Sequence, residues 1–342
     1  MATMNARERF FNKLSGKEVD RTPVFCADQT GTYDVMEELN VFWPEAHQKG
    51  EDMAKLAVGA YTMMGFDAVR VPFCQTIEAE VLGGGIKHAG KEGIPSVDVH
   101  PYKLTDTPGP LPDNYLELGR IPELIKAVRL LKQEVGDKAV VMGGIIGPYS
   151  IATSLLGPTH ILKASYKKPD SVKPFLDLAE EAGTVLAKAL IEAGAEIICI
   201  EDMMASMDMI SPKIYRELTY PWEKRQIEAL SVPSILHICG KTNPIIEEMA
   251  DTGAAIISVE PVVDVPDAKD KLKKFDRFIP LVGGADAVIT LFSGSEDEVL
   301  RESLEAIEMG YDMLAPGCSI APGSPLANLR AMVKAAEKAA GM

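Results

Sequence analysis

Eight short runs of apolar, β-favouring residues, separated by helical stretches, constrain the fold more than any other feature of the chain. They are residues 22–28 (TPVFCAD), 68–72 (AVRVP), 139–145 (AVVMGGI), 196–202 (EIICIED), 234–239 (SILHIC), 255–260 (AIISVE), 278–284 (FIPLVGG) and 313–318 (MLAPGC). Their near-continuous apolarity suits parallel strands covered on both faces. A leading amphipathic helix precedes the first run, and helical patterns occupy residues 171–193, 221–230, 244–252 and 296–309. Gly194, Gly253 and Gly310 stand where three of these helices must stop before the next strand. Eight strands alternating with helices predict one (β/α)8 TIM-barrel domain over residues 1–342. One segment breaks the rhythm. Residues 73–115 follow the second strand and hold Gly83-Gly84-Gly85 and a proline-rich stretch at 107–112. It leaves from the face on which barrel enzymes build their sites. A cap over the mouth and a plain surface excursion are both compatible with its composition.

Chemistry concentrates at the ends of these runs. Residues two apart in a strand point to the same side, so His237 and Cys239 in the fifth run can face one ion together. Cys318 ends the eighth run, and a barrel would bring all three to one rim. One imidazole and two thiolates with a position left open is the ligand set of a catalytic zinc rather than of a sealed structural one. Thiolate and imidazole ligands also select zinc over magnesium or calcium. The remaining cysteines, Cys26, Cys74 and Cys199, form no CxxC pair with these or each other. Cys199 lies in an apolar run and reads as core.

Acidic groups gather at the same ends: Asp28, Glu201, Asp202, Glu260 and Asp286. Asp202 and Glu260 are the expected catalytic carboxylates, filling the fourth metal position at rest or orienting His237. Lys241 follows the His-x-Cys pair, and Thr242 and Pro244 suit the start of a helix beside it. A helix N-terminus next to a lysine attracts small anions.

A formal charge of −15 argues against nucleic acid and against anionic membrane surfaces. No run of apolar residues is long enough for a membrane span or a signal segment, so a cytoplasmic location is expected.

With these residues in hand, the chain resembles the uroporphyrinogen decarboxylase superfamily, and within it the methylcobamide:coenzyme M methyltransferases of methanogenic archaea. The similarity runs nearly end to end, through residues 16–24 (GKEVDRTPV), 29–31 (QTG), 43–47 (WPEAH), 65–72 (GFDAVRVP), 146–148 (IGP), 236–240 (LHICG) and 314–318 (LAPGC). The last two match the zinc motif of those enzymes, so the resemblance gives His237, Cys239 and Cys318 the ligand role. It also implies a (β/α)8 barrel and transfer of a methyl group from a methylated corrinoid protein to the thiol of coenzyme M. The corrinoid would belong to that partner, because no cobalamin module fits inside this chain. Gln29, Arg70 and Lys241 are the expected substrate-binding residues, the last two toward the sulfonate. The parent decarboxylase carries arginines after its first strand, where this chain has Cys26-Ala-Asp-Gln-Thr30 and none. Decarboxylation of a polyanionic porphyrinogen is therefore disfavoured. The rival readings are the same scaffold with tetrahydrofolate or another thiol as acceptor, and a non-catalytic barrel that only docks the corrinoid protein.

Overall fold

The computed structural model describes residues 4–342. Among the described residues there are nine strands, β1 (Ala68–Val71), β2 (Gly85–Lys87), β3 (Ser96–Val99), β4 (Val140–Ile146), β5 (Ile197–Glu201), β6 (Ser234–His237), β7 (Ile256–Ser258), β8 (Leu281–Ala285) and β9 (Met313–Pro316). Seven of them form one curled sheet in the order β1-β4-β5-β6-β7-β8-β9, and every pairing in it is parallel. Helices follow the strands, including Lys173–Ala193 after β4 and Glu296–Met309 after β8. Gly194 and Gly310 end these two helices at φ 117° and 110°, a left-handed conformation that costs glycine nothing.

The first apolar run, residues 22–28, departs from expectation. It makes only an isolated parallel bridge, Val24 to Leu314, rather than a strand. Its backbone nonetheless bonds on both sides. Leu314 N donates to Pro23 O and Phe25 N to Leu314 O, while Asp67 N, just before β1, donates to Val24 O. The segment thus stands between the last and first strands of the sheet, completing the expected barrel. Ladder pairing here is short because the buried Asp67 carboxylate intervenes and accepts from Val24 N at 2.7 Å.

Alternate residues of the strands face inward, and they form layers. Ala68, Val140, Ile197, Ile235, Ile256, Val282 and Met313 belong to one enclosed cluster, capped by Phe10 of the leading helix Ala6–Leu14. Phe10 is fully buried and meets the Phe25 ring edge-on at 5.1 Å. Cys199 lies in the same apolar cluster, as its run predicts. One step further toward the C-terminal rim the inward residues turn polar: Arg70, Glu201, His237 and Ser258, each 1 % exposed or less. Gly144 sits in that layer because the Arg70 guanidinium crosses its face; a Cβ there would lie 2.0 Å from Arg70 Nη2.

The 73–115 segment contains a short helix, Ile77–Val81, and the antiparallel pair β2–β3. It returns along the helix Pro148–Leu156, where His100 Nδ1 lies 2.8 Å from Ser154 O and Tyr102 N donates to Leu155 O. Among the described residues, no helix is long and apolar enough to cross a membrane.

The junction at Asp67 holds the leading helix, the first run and β1 together. Its carboxylate is fully buried and takes Arg9 Nη1 at 2.5 Å and Arg21 Nη1 at 2.8 Å. Removing one partner of such a cluster strands the others as buried, uncompensated charge. Asp67→Ala should therefore cost about 3–5 kcal/mol in a denaturant titration; a loss below about 1 kcal/mol would mean the junction does not close the barrel.

Candidate metal centre

His237 closes β6, but Cys239 and Cys318 each stand two residues beyond a strand end, in the loops after β6 and β9. Same-side alternation within a strand is therefore not what joins His237 to Cys239; the loop turns the thiol back over the rim. Gly240 follows in a left-handed conformation, φ 77°, as this reversal requires. The convergence itself occurs. Cys239 Sγ lies 3.4 Å from His237 Nε2 and 3.7 Å from Cys318 Sγ, and the three ligand atoms all fall within 4.8 Å of one another. A tetrahedral ion with bonds of about 2.3 Å to sulfur and 2.0 Å to nitrogen separates two sulfurs by about 3.8 Å, and nitrogen from sulfur by about 3.5 Å. Two edges of the cluster, at 3.4 and 3.7 Å, match those of a tetrahedral zinc site.

The register explains how His237 is aimed. β5, β6 and β7 align Glu201, His237 and Ser258 in one row across the sheet. Ser258 Oγ lies 3.0 Å from His237 Nδ1, which occupies that nitrogen and leaves Nε2 for the cysteines. Asp28 Oδ2 stands 3.5 Å from Nε2, and the carboxylate is buried with Oδ1 free of any hydrogen bond.

These neighbours set the protonation of the metal-free cluster. Burial opposes a charge on His237, but the Asp28 carboxylate and the hydrogen bond with Cys318 outweigh it and raise its pKa to about 9. The hydrogen bond between the two thiols splits them. Cys318 is lowered by the Cys239 proton it accepts, and Cys239 is raised by giving that bond and then by burial.

The other expected site residues divide. Glu260 follows β7 and lines a groove of about 380 Å³ together with Gly317 and Cys318, so it borders the cluster. Asp202 does not face the cluster. Its carboxylate accepts from Tyr149 N at 3.1 Å and from Ser150 N and Oγ at 2.8 and 2.6 Å, anchoring the start of helix Pro148–Leu156. Burial raises its pKa to about 6, and it shares a hydrogen bond with the equally buried Glu223. Gln29 is also committed internally: its amide bonds Ile320 O and Gly31 N, tying the loop after the first run to the loop that carries Cys318. Arg70 is buried against Glu201, whose other oxygen accepts from Gln75 Nε2 at 2.6 Å. Its charge is matched within the protein. Lys241 remains exposed at the rim, two residues past Cys239. Asp28 and Ser258 contact His237, yet neither stands out from its motif. Asp28 was one acid among several at strand ends, and Ser258 one small residue in an apolar run.

The sequence profile of the uroporphyrinogen decarboxylase family (URO-D) matches residues 5–339. The chain belongs to that family. It is 37% identical over 338 residues, 99% of each chain, to the methylcobamide:CoM methyltransferase MtaA of Methanosarcina barkeri. It is 36% identical to the methylcobamide:CoM methyltransferase MtbA of Methanosarcina mazei, over 98% of this chain and 99% of the relative. A uroporphyrinogen decarboxylase of Prochlorococcus marinus is 26% identical over 94% of this chain and 95% of its own. Among solved structures, a methyltransferase from Methanosarcina mazei superposes with a TM-score of 0.92 at 37% identity, covering 98% of this chain and 99% of that one.

Zinc requires both thiols and the imidazole to give up their protons. At pH 7 the metal-free cluster holds two, on Cys239 and on His237, whose raised pKa keeps it charged there. Zinc titration at pH 7 should therefore release about two protons per ion, and apparent affinity should fall about a hundredfold from pH 8 to pH 7. Calorimetry in buffers of different ionisation enthalpy reads both; release of one proton or none would contradict this protonation.

Proposed function

We propose that this protein is a methyltransferase that moves a methyl group from a methylated corrinoid to the thiol of coenzyme M, with zinc held by His237, Cys239 and Cys318. The observation that carries this reading is the convergence of one imidazole and two cysteine sulfurs at the rim of a barrel similar end to end to methylcobamide:CoM methyltransferases. A thiol is a weak nucleophile until it becomes a thiolate. When bound, zinc would supply a Lewis acid that favours the thiolate of the substrate at neutral pH.

The chain's own residues do the rest. Ser258 fixes the ring of His237 with Nε2 toward the site. Asp28, buried beside Nε2, stabilises positive charge there. Glu260 lines the same groove as Cys318 and would supply a carboxylate beside the open position. Lys241 keeps an exposed charge for the sulfonate, whereas Arg70 is spent on Glu201. In the transfer the substrate sulfur forms the new bond to the methyl carbon, the cobalt–carbon electron pair stays with cobalt, and the thiol proton leaves to solvent.

In this reading the 73–115 segment is a cap beside the mouth. Its Gln75 bonds Glu201, and its Ile94 helps enclose a small cavity of about 30 Å³ with Arg70 and Ser319. Porphyrinogen decarboxylation finds no support in the residues: the guanidinium within the mouth is already neutralised, so nothing there grips several carboxylates.

Purified, zinc-loaded protein should consume methylcobalamin in the presence of coenzyme M, followed by the loss of the cobalt–carbon chromophore. Cys318→Ala should abolish that turnover. Consumption with tetrahydrofolate instead of coenzyme M would reassign the acceptor, and consumption with neither would leave a non-catalytic barrel.

A further inference from the structure

The loops beyond β7 and β8 carry large apolar side chains in the open. Val262, Val288 and Ile289 are 51%, 63% and 73% exposed, and Phe292 is exposed beside them in sequence. Clusters of this kind mark interaction surfaces rather than ordinary scatter. Three of them line the groove of about 380 Å³ in whose wall Cys318 stands, so the apolar surface is continuous with the metal cluster. The loop is built to hold them out. The Asp286 carboxylate accepts from Val288 N at 2.9 Å and Ile289 N at 2.6 Å, and Leu291 N returns to Asp286 O. A second groove of similar volume, also lined by Ile289, holds Glu298, Glu302 and Glu305, with Arg301 as its lone cation. Glu260 and Asp286 add two more carboxylates in the first groove.

We propose that this ridge and its acidic flanks are the docking surface for the protein that presents the methylated corrinoid, an inference that rests on the function proposed above. A groove of about 380 Å³ lies at the small end of sites that enclose a drug-sized molecule. A corrin macrocycle with its side chains exceeds that, so its cobalt must be offered from outside by whatever carries it. The donor methyl has to arrive over Cys318, and the apolar ridge is the wall it passes. The matching surface on the carrier is apolar around the corrinoid and basic at its edge, because the grooves here present Glu260, Asp286, Glu298, Glu302 and Glu305 against one arginine.

The test uses two methyl donors with the zinc-loaded full chain: free methylcobalamin, and a methylated corrinoid protein from a methanogen. The Val288→Ser/Ile289→Ser double variant should raise KM for the protein-borne donor at least about tenfold more than it raises KM for free methylcobalamin, as loss of a central apolar anchor between two proteins does. Parent KM for the carrier should rise with ionic strength, and Glu305→Gln should flatten that dependence. Equal loss with both donors, or with neither, overturns the proposal. So does a parent dimer that the double variant converts to monomer, which would give the face to a second copy of the chain. Calorimetric binding of the carrier to parent and variant needs no turnover. If the parent transfers from neither donor, the functional reading falls, and this binding comparison alone decides the surface.

Discussion

The site depends on the height at which the barrel interior changes from apolar to charged. Below, side chains such as Ile197, Cys199, Ile235 and Ile256 fill the interior without a polar atom beyond the thiol. One residue pair higher, Arg70, Glu201, His237 and Ser258 are equally buried. Charge in such a place is tolerated only when matched. Arg70 and Glu201 match each other, and His237 is matched by Asp28. Because these residues cannot relax into water, the imidazole is held in one orientation, and the two cysteine loops close over a fixed nitrogen.

Metal-free, the same cluster is a compact arrangement of one imidazolium, one thiolate and one thiol beside a carboxylate. An ion with two positive charges replaces two protons in nearly the same volume, since the sulfur–sulfur distance of 3.7 Å already suits tetrahedral coordination. The interior below supplies rigidity, and Cys318 lines a groove bordered by Glu260. Family membership and chemistry meet here. A scaffold shared with porphyrinogen decarboxylases carries, at the strand ends, a soft-ligand cluster and no spare guanidinium inside the mouth.

Much of this was legible in the chain, because apolar runs, glycine stops and strand-end cysteines are local signals. Seven of the eight runs become strands of one parallel sheet, and the eighth, residues 22–28, keeps its place while forming only a bridge. Its shortfall has a cause outside the run: Asp67 takes the Val24 amide that a ladder would have used. Partner choice was the illegible part. Asp202 and Glu260 look alike as acids at strand ends, yet the first is drawn away by the free amides of helix Pro148–Leu156. Gln29 and Arg70 read as polar groups at a mouth, but each has an internal partner distant in sequence, Ile320 and Glu201. Ser258 gains its part solely from strand register, which no run of five or six residues reveals.

The central claim is that His237, Cys239 and Cys318 hold one zinc ion with a position open to a substrate thiol. X-ray absorption at the zinc edge of the purified protein tests it most directly. The account predicts two sulfur neighbours at about 2.3 Å with nitrogen or oxygen completing the shell, rising to three sulfurs when coenzyme M is added. A sulfur count that does not change with coenzyme M, or that survives loss of Cys318, would contradict it.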